Sequence, residues 1–156
     1  MNLTKCIQKI YPEALLDVHF VPTTIDGTPT IQRWSYGLPQ PSPAQIRAAE
    51  IQVAREESIT SIRTAFASRM NEGITIGGVT LQADPESLAL FTGLAAFLSL
   101  ALTTQAITPD APQTLYSNEG TPVTAPASQV SALLLAYGAA YATAFNAMKA
   151  EITALD

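Results

Sequence analysis

The sequence contains a single cysteine, Cys6, and a single histidine, His19. One cysteine excludes an intrachain disulfide and a zinc site built on thiolates, and one histidine excludes a histidine-based metal cluster. Neither residue lies in a pattern that could combine a nucleophile, a base and an orienting carboxylate, so no catalytic triad can be drawn. We therefore expect a protein that is not an enzyme and that holds no cofactor and no metal.

Charge is also scarce. Charged residues make up 13% of the chain, and the formal net charge is −5. The eight basic residues are scattered, whereas binding to nucleic acid requires clustered Lys and Arg to neutralise phosphates, so we exclude nucleic acid as a partner. The hydrophobic fraction of 47% argues against disorder. It also predicts apolar surface that needs more cover than a small monomer provides.

The first part of the chain predicts a helix, a β-hairpin and a stiff connector. Apolar residues fall on one helical face over residues 2–10, and the alternating run around His19 predicts the first strand. A turn at Asp26-Gly27 separates it from a second strand. "GLPQPSP" has three prolines in seven residues and predicts an extended connector. We place a domain boundary there, between segments 1–41 and 42–156.

The second part predicts the order helix, hairpin, helix, hairpin, helix, so the fold class is α+β and mainly helical. Ser42 and Gln45 form a capping box at the start of the first of these helices, which should reach about Met70. The structural caps and turns are Ser42, Gly77, Gly78, Asp84 and Gly120.

The stretch "GITIGGVTLQADPESLAL" could suggest a site of chemistry. A P-loop, however, needs Lys and Ser or Thr directly after its last glycine, and these are missing here. Gly77 and Gly78 lie between two alternating apolar runs, which is typical of a hairpin turn. Asp84 precedes Pro85, as an N-cap residue would. We interpret the stretch as a joint between a hairpin and a helix.

Two stretches, residues 87–109 and 120–148, contain no charged residue. Each is long enough to span a bilayer, so a two-span phage membrane protein such as a holin is an alternative. Both stretches are diluted by Thr, Ser, Gln and Gly, both begin beside hairpins, and neither is followed by clustered Lys and Arg. We therefore favour a soluble homo-oligomer over a membrane protein, held mainly by residues 87–102 and 127–148. The residues expected at its interface are Leu133, Ala136, Tyr137, Ala140, Tyr141 and Phe145.

Two longer segments, "GVTLQADPESLALFTGLAAFLSLA" and "LYSNEGTPVTAPASQVSALLLAYGAAYATAF", carry a resemblance. With the closing "KAEITAL", they resemble a small domain of unknown function found in phage tail-fibre and baseplate proteins. Gln82 and Asp84 match its first element, and the match covers residues 44–156. Tyr116 departs from the pattern, because such domains often carry Trp there. "IQRWSYGLPQPSP" resembles the connector that precedes this domain in phage tail proteins.

The resemblance implies a structural role in the virion and no known catalysis. It suggests a short tail fibre, a fibre-joining subunit or a baseplate subunit, made in the bacterial cytoplasm and placed in the phage tail. Its partners would be copies of itself, in a trimer because phage fibres are typically three-fold, and other tail or baseplate proteins. A tail-fibre assembly chaperone is the alternative within the same setting.

Overall fold

The computed structural model describes residues 2–155. The elements are α1 (Leu3–Ile10), β1 (Phe20–Ile25), β2 (Thr28–Trp34), α2 (Pro43–Asn71), β3 (Ile74–Ile76), β4 (Val79–Leu81), α3 (Pro85–Thr103), β5 (Pro112–Tyr116), β6 (Pro122–Pro126) and α4 (Ala127–Thr153). The strands form three separate antiparallel hairpins, β1–β2, β3–β4 and β5–β6. Of the described residues, 54% lie in helices and 19% in strands. The predicted α+β, mainly helical fold is therefore confirmed.

The chain divides into two compact units, Met1–Ser61 and Ile62–Asp156. The division falls inside α2, so this helix begins in the first unit and ends in the second. The predicted boundary between residues 41 and 42 concerns the proline-rich connector and stays a prediction.

The core of the first unit lies between α1 and the β1–β2 hairpin. Leu3, Ile7 and Phe20 are buried there. Asn2 caps α1 by accepting a hydrogen bond from the Lys5 backbone N–H, which satisfies one donor that a helix start leaves unpaired. The amphipathic pattern of residues 2–10 is what brings α1 onto the hairpin.

An aromatic cluster holds the proline-rich connector of the first unit. The ring centroids of Tyr11 and Trp34 are 5.7 Å apart, and those of Trp34 and Tyr36 are 5.9 Å apart. Trp34 Nε1 donates a hydrogen bond to the Leu38 carbonyl at 2.7 Å, and the Tyr11 hydroxyl donates to the Pro39 carbonyl at 2.9 Å. The connector is therefore tied down by directed hydrogen bonds.

The strand predicted around His19 begins later than the alternating pattern suggested. β1 starts at Phe20, and residues 15–19 form a turn in which the Leu15 N–H donates to His19 Nδ1 at 3.0 Å. Asp17 has a φ of 63°, which is incompatible with a continuous strand. The Arg33 guanidinium donates to the Asp17 carbonyl and helps to hold this turn.

The second unit is built around the packing of α3 against α4, with the hairpins β3–β4 and β5–β6 beside them. The buried residues of its core are Met70, Leu81, Ala83, Phe91, Ala95, Leu98, Leu115, Val130, Leu134 and Tyr137. Phe91 and Tyr137 meet edge to face, with centroids 5.4 Å apart. One side of each helix is covered in this way.

By length and composition, α3 and α4 are also apolar enough to cross a membrane, although core helices of soluble proteins pass the same test. Only 22% of the most apolar window of each helix is buried. Both helices therefore carry apolar surface that the chain itself leaves open.

Candidate interaction surface

The helix start at Asp84 is a structural cap. Asp84 Oδ1 accepts hydrogen bonds from the Glu86 N–H at 2.9 Å and from the Ser87 N–H at 3.0 Å. Asp84 Oδ2 accepts a hydrogen bond from the Ser87 hydroxyl at 2.6 Å. These bonds, first the Ser87 hydroxyl and then the backbone N–H groups, lower the pKa of Asp84 below its usual value. Both carboxylate oxygens thus accept hydrogen bonds from the first turn of α3.

The other cap and turn residues occupy local structural positions. Gly77 and Gly78 have φ values of 58° and 83° in the two-residue turn between β3 and β4, and Gly120 has a φ of 75° in the turn before β6. The Ser42 N–H donates to Gln45 Oε1 at 2.8 Å, and the Gln45 N–H donates to Ser42 Oγ at 3.3 Å. The glycines therefore permit the two turns, and the Ser42–Gln45 pair caps the start of α2.

Tyr137, one of the residues expected at an oligomer interface, lies inside the core. Its side chain is 1% exposed, and its hydroxyl donates a hydrogen bond to the Gln82 carbonyl at 2.7 Å. Burial, followed by the nearby charges of Asp84 and Tyr141, raises the pKa of Tyr137 to about 12. This side chain has no surface to offer a second copy.

Most of the remaining interface candidates also contact their own chain. Tyr141 and Phe145 each place their ring centroid 6.0 Å from that of Phe66 on α2. Leu133, Tyr141 and Ala140 are half-buried, whereas Ala136 and Phe145 are exposed. Their role in an oligomer stays a prediction.

An open apolar groove, which we call the α3–β5 groove, lies between α3 and β5. It holds about 750 Å³ and is lined by Leu90, Gly93 and Phe97 from α3 and by Thr114, Leu115 and Tyr116 from β5, among others. Leu90 is 65% exposed, Phe97 61%, Leu100 64% and Tyr116 64%. The described residues that line the groove carry no charge.

Four exposed residues of α3 form one stripe. Leu90, Gly93, Phe97 and Leu100 recur at intervals of three and four residues, which places them along a single side of the helix. A Cβ built at Gly93 would meet no atom within 4 Å, so the middle of this stripe is open. Such spacing is typical of a helix that packs along another helix.

The free edge of β5 completes the groove. The Ser117 N–H donates to the Thr121 carbonyl, and the Ala127 N–H donates to the Ala111 carbonyl, so the odd-numbered residues bond across the hairpin. In an antiparallel pair the alternate residues point their N–H and C=O groups away from the partner strand. Thr114 and Tyr116 therefore direct theirs outward. Within residues 2–155, these outward groups have no hydrogen-bond partner. We call them the β5 edge.

The opposite edge of the hairpin differs because of its prolines. Pro122, Thr124 and Pro126 are the outward-facing residues of β6, and two of them have no N–H. Edge prolines are a common means of blocking unwanted strand pairing. The hairpin thus has one blocked edge and one open edge, and the open edge faces the apolar groove.

Residues 87–102 belong to the interface expected from the sequence, but the α3–β5 groove was not predicted. Two signals were present. The stripe at Leu90, Phe97 and Leu100 has heptad-like spacing. The prolines at 122 and 126 lie an even number of positions apart, so in a strand both would direct their backbone to the same edge. Neither signal shows from the sequence alone which helix face or strand edge other elements cover.

The described residues offer no centre for metal or thiol chemistry. Within residues 2–155 there is no group of three or more His, Cys, Asp or Glu side chains that could hold a metal ion. Cys6 is buried, and its burial, followed by the charge of Glu50, raises the pKa of its thiol. A raised pKa disfavours the reactive thiolate.

Comparison with known proteins places a phage-related similarity in the first unit. Residues 3–58 match the family described as XkdW protein, which is phage-related. No curated protein and no solved structure matches the chain. The similarity indicates a phage-associated protein, as the sequence suggested. The region is different: the resemblance was assigned to residues 44–156, whereas the match covers residues 3–58 and overlaps that region only at residues 44–58.

Proposed function

We propose that this protein is a non-enzymatic structural component of a phage tail: a short fibre, a fibre-joining subunit or a baseplate subunit. The observation that carries the proposal is the match of residues 3–58 to a phage-related family. Its place would be the assembled virion, and it would act by packing against copies of itself and neighbouring tail proteins.

The α3–β5 groove supports a packing role. Its exposed surface consists of apolar side chains and strand backbone, and its described lining includes no His, Cys, Asp, Glu, Lys or Arg. Its described lining therefore lacks the imidazole, thiol, carboxylate and amine groups that commonly act as general bases or activate a neighbouring hydroxyl. It does have what a protein partner needs, namely apolar side chains and unpaired peptide groups.

The same groove argues against the two-span membrane alternative. Thr114 and Tyr116 line it together with Gly93 and Phe97, so the β5 edge runs beside the middle of α3. If α3 crossed a bilayer, these unpaired peptide groups would lie at the depth of the hydrocarbon. Each unsatisfied group there costs several kcal/mol, and open sheet edges do not occur facing lipid.

The test is to look for the protein in purified particles of the phage that encodes it. Quantitative mass spectrometry of gradient-purified virions should find it at a fixed ratio to the other tail proteins, and labelled antibody should place it on the tail by electron microscopy. A protein present in infected cells but missing from virions and isolated tails would contradict the structural role and favour an assembly factor. Recovery only from the detergent-extracted membrane fraction would favour the holin-like alternative.

A further inference from the structure

We propose that two copies of this chain pair through their β5 edges. Two β5–β6 hairpins would then form one four-stranded antiparallel sheet, with the exposed stripes of the two α3 helices packed together beside it. This inference rests on the proposed packing function and names the partner, a second copy related by a two-fold axis. That partner replaces the three-fold stoichiometry expected from the resemblance.

The hydrogen-bonding capacity of the β5 edge fits a two-fold axis beside Leu115. In that register Thr114 of one copy faces Tyr116 of the other, and each of the two pairs exchanges two backbone hydrogen bonds. All four N–H and C=O groups of the edge in each copy are then satisfied. An isologous contact of this kind closes on itself and leaves no open end of β5 for further copies.

The ends of the edge agree with this register. The next pair outward would join Pro112 to Asn118 of the second copy. Pro112 has no N–H, and the Asn118 N–H already donates to the Thr80 carbonyl at 2.8 Å. No backbone donor is therefore left unpaired. A shift by two residues would place Tyr116 opposite its own copy and Thr114 opposite Asn118. The Thr114 carbonyl would then lack a donor, because the Asn118 N–H is already engaged with Thr80.

The apolar stripe supplies the area that strand pairing alone lacks. Leu90, Phe97, Leu100 and Tyr116 are each more than 60% exposed. Together they offer on the order of 400 Å² of apolar side chain per copy, given the size of such residues, which already makes a patch of the size found at interaction sites. Doubled, and with the strand backbone added, this approaches the roughly 1,000 Å² that a specific interface needs.

Charge also permits a two-fold contact. A two-fold axis brings a surface against its own copy, so any charge near the axis would meet a like charge. Residues 87–109 carry none, and the described lining of the groove carries none either. Self-association therefore meets no electrostatic repulsion at its centre.

The decisive experiment uses the hairpin's own pair of threonines. Thr114 and Thr124 are cross-strand neighbours, their hydroxyl oxygens are 2.8 Å apart, and each points its N–H outward, on opposite edges. Thr114→Pro and Thr124→Pro therefore lose the same side-chain hydrogen bond and differ in which edge loses its donor. Sedimentation equilibrium without detergent should show the wild type at twice the 16.5 kDa of the chain. Thr114→Pro should raise the dimer dissociation constant at least ~tenfold, because two hydrogen bonds per dimer are lost, and Thr124→Pro should leave it nearly unchanged.

A second pair of variants keeps the test informative if proline disturbs the hairpin. Phe97→Lys sets two like charges into the paired stripe, whereas Thr92→Lys adds the same charge at an exposed position of α3 outside the groove lining. Phe97→Lys should yield monomers with unchanged circular dichroism, and Thr92→Lys should remain dimeric.

Several results would overturn the pairing: a wild type that stays monomeric at ~100 µM, a trimer, or equal weakening by both proline variants. Binding of the wild type to phosphatidylglycerol vesicles, lost in Phe97→Lys, would show that lipid covers the stripe instead. These results concern self-association. Absence from virions would refute the tail role and leave a measured dimer standing, so the two failures are distinguishable.

Discussion

The two units of this protein are stabilised in different ways. The first combines a small apolar core with directed polar contacts: Lys5 pairs with Glu57 and Lys9 with Glu56 between α1 and α2, and Trp34 donates a hydrogen bond to the connector. The second is held by apolar packing between two helices rich in uncharged residues, whose outer faces stay open. The phage-related match falls on the first unit, and the surface suited to assembly falls on the second.

The comparison suggests a division of roles. Directed contacts specify a geometry without needing a large core, which suits a small unit such as Met1–Ser61. Apolar helices pack strongly but without direction, so the second unit depends on closely fitted core residues and on a few polar anchors, chiefly Asp84 and Tyr137. Four predictions test how much the stability of the second unit depends on core packing, on close backbone contact and on these polar anchors.

The largest effect is expected from opening a cavity in the second core. Leu98 is fully buried between α3 and its neighbours, so Leu98→Ala should lower the free energy of unfolding by about 3 kcal/mol. Hydrogen exchange followed by mass spectrometry should show lost protection mainly in residues 62–155. Ile7→Ala is the matched control in the first core, and its loss should fall mainly in residues 2–61. Equal loss of protection across both units in either variant would contradict the view that each core stabilises mainly its own unit.

The next effect concerns the close approach of backbone at Gly73. Its φ is +87°, and a Cβ there would lie 2.7 Å from the Leu81 carbonyl oxygen. Gly73→Ala should therefore lower the free energy of unfolding by about 2 kcal/mol or more, because both strain and a backbone clash are introduced. Gly78→Ala is the control: its φ is +83°, but the space around it is open, so only the strain remains. Chemical denaturation measures both, and a larger loss in Gly78→Ala would refute the argument.

Tyr137→Phe removes the hydroxyl that donates to the Gln82 carbonyl and keeps the ring. We expect a loss of about 1–2 kcal/mol in the free energy of unfolding, because a partly buried hydrogen bond to the Gln82 carbonyl is removed. The pKa of Tyr137 is raised from its usual 10.0 to about 12. The wild type's advantage should thus be complete below pH 10 and disappear as the pH rises through about 12. Denaturation curves across this range test it; an advantage that persists above pH 12 would show that the hydroxyl is not what stabilises the fold.

The smallest effect is expected at the N-cap of α3. Asp84→Ala should lower the free energy of unfolding by about 1 kcal/mol, whereas Asp84→Asn, which can still cap, should lose much less. Because the pKa of Asp84 is lowered in the folded state, its contribution is present above the ordinary value of 3.8 and is lost as the pH falls below it. Thermal melts at pH 7 and pH 3 measure both effects. An Asn variant as unstable as the Ala variant at pH 7 would contradict the capping role.

Much of the fold could be predicted because its signals are local. Ser42 and Gln45 mark the start of α2, and Asp84 with Pro85 marks the start of α3, since each supplies the groups that a helix start needs from its own neighbours. The start of β1 was predicted too early because the turn before it depends on a contact with a distant residue. The left-handed Asp17 is held by Arg33, which lies on another strand.

The candidate site was harder to predict because it depends on pairs of distant residues. Tyr137 was expected at or near the oligomer contact, but its side chain is buried in the core and its hydroxyl reaches Gln82, 55 residues earlier. Helical periodicity shows that residues share a face, yet α3 and α4 are apolar on nearly every face, so periodicity cannot choose the covered one. The contrast between the edges of β5 and β6 likewise emerges only once the register of the hairpin is known.

The amino-acid sequence by itself determined the kind, order and approximate ends of the elements, and its composition led us to expect neither a metal cluster nor binding to nucleic acid. These properties follow from backbone preferences, capping groups and charge, which act over a few residues or need no structure at all. Only the tertiary structure decided that Leu90, Phe97 and Leu100 stay exposed while Leu98 is buried, and that Thr114 faces outward beside them. Burial depends on what packs across from a residue, and that is decided by contacts between segments far apart in the chain.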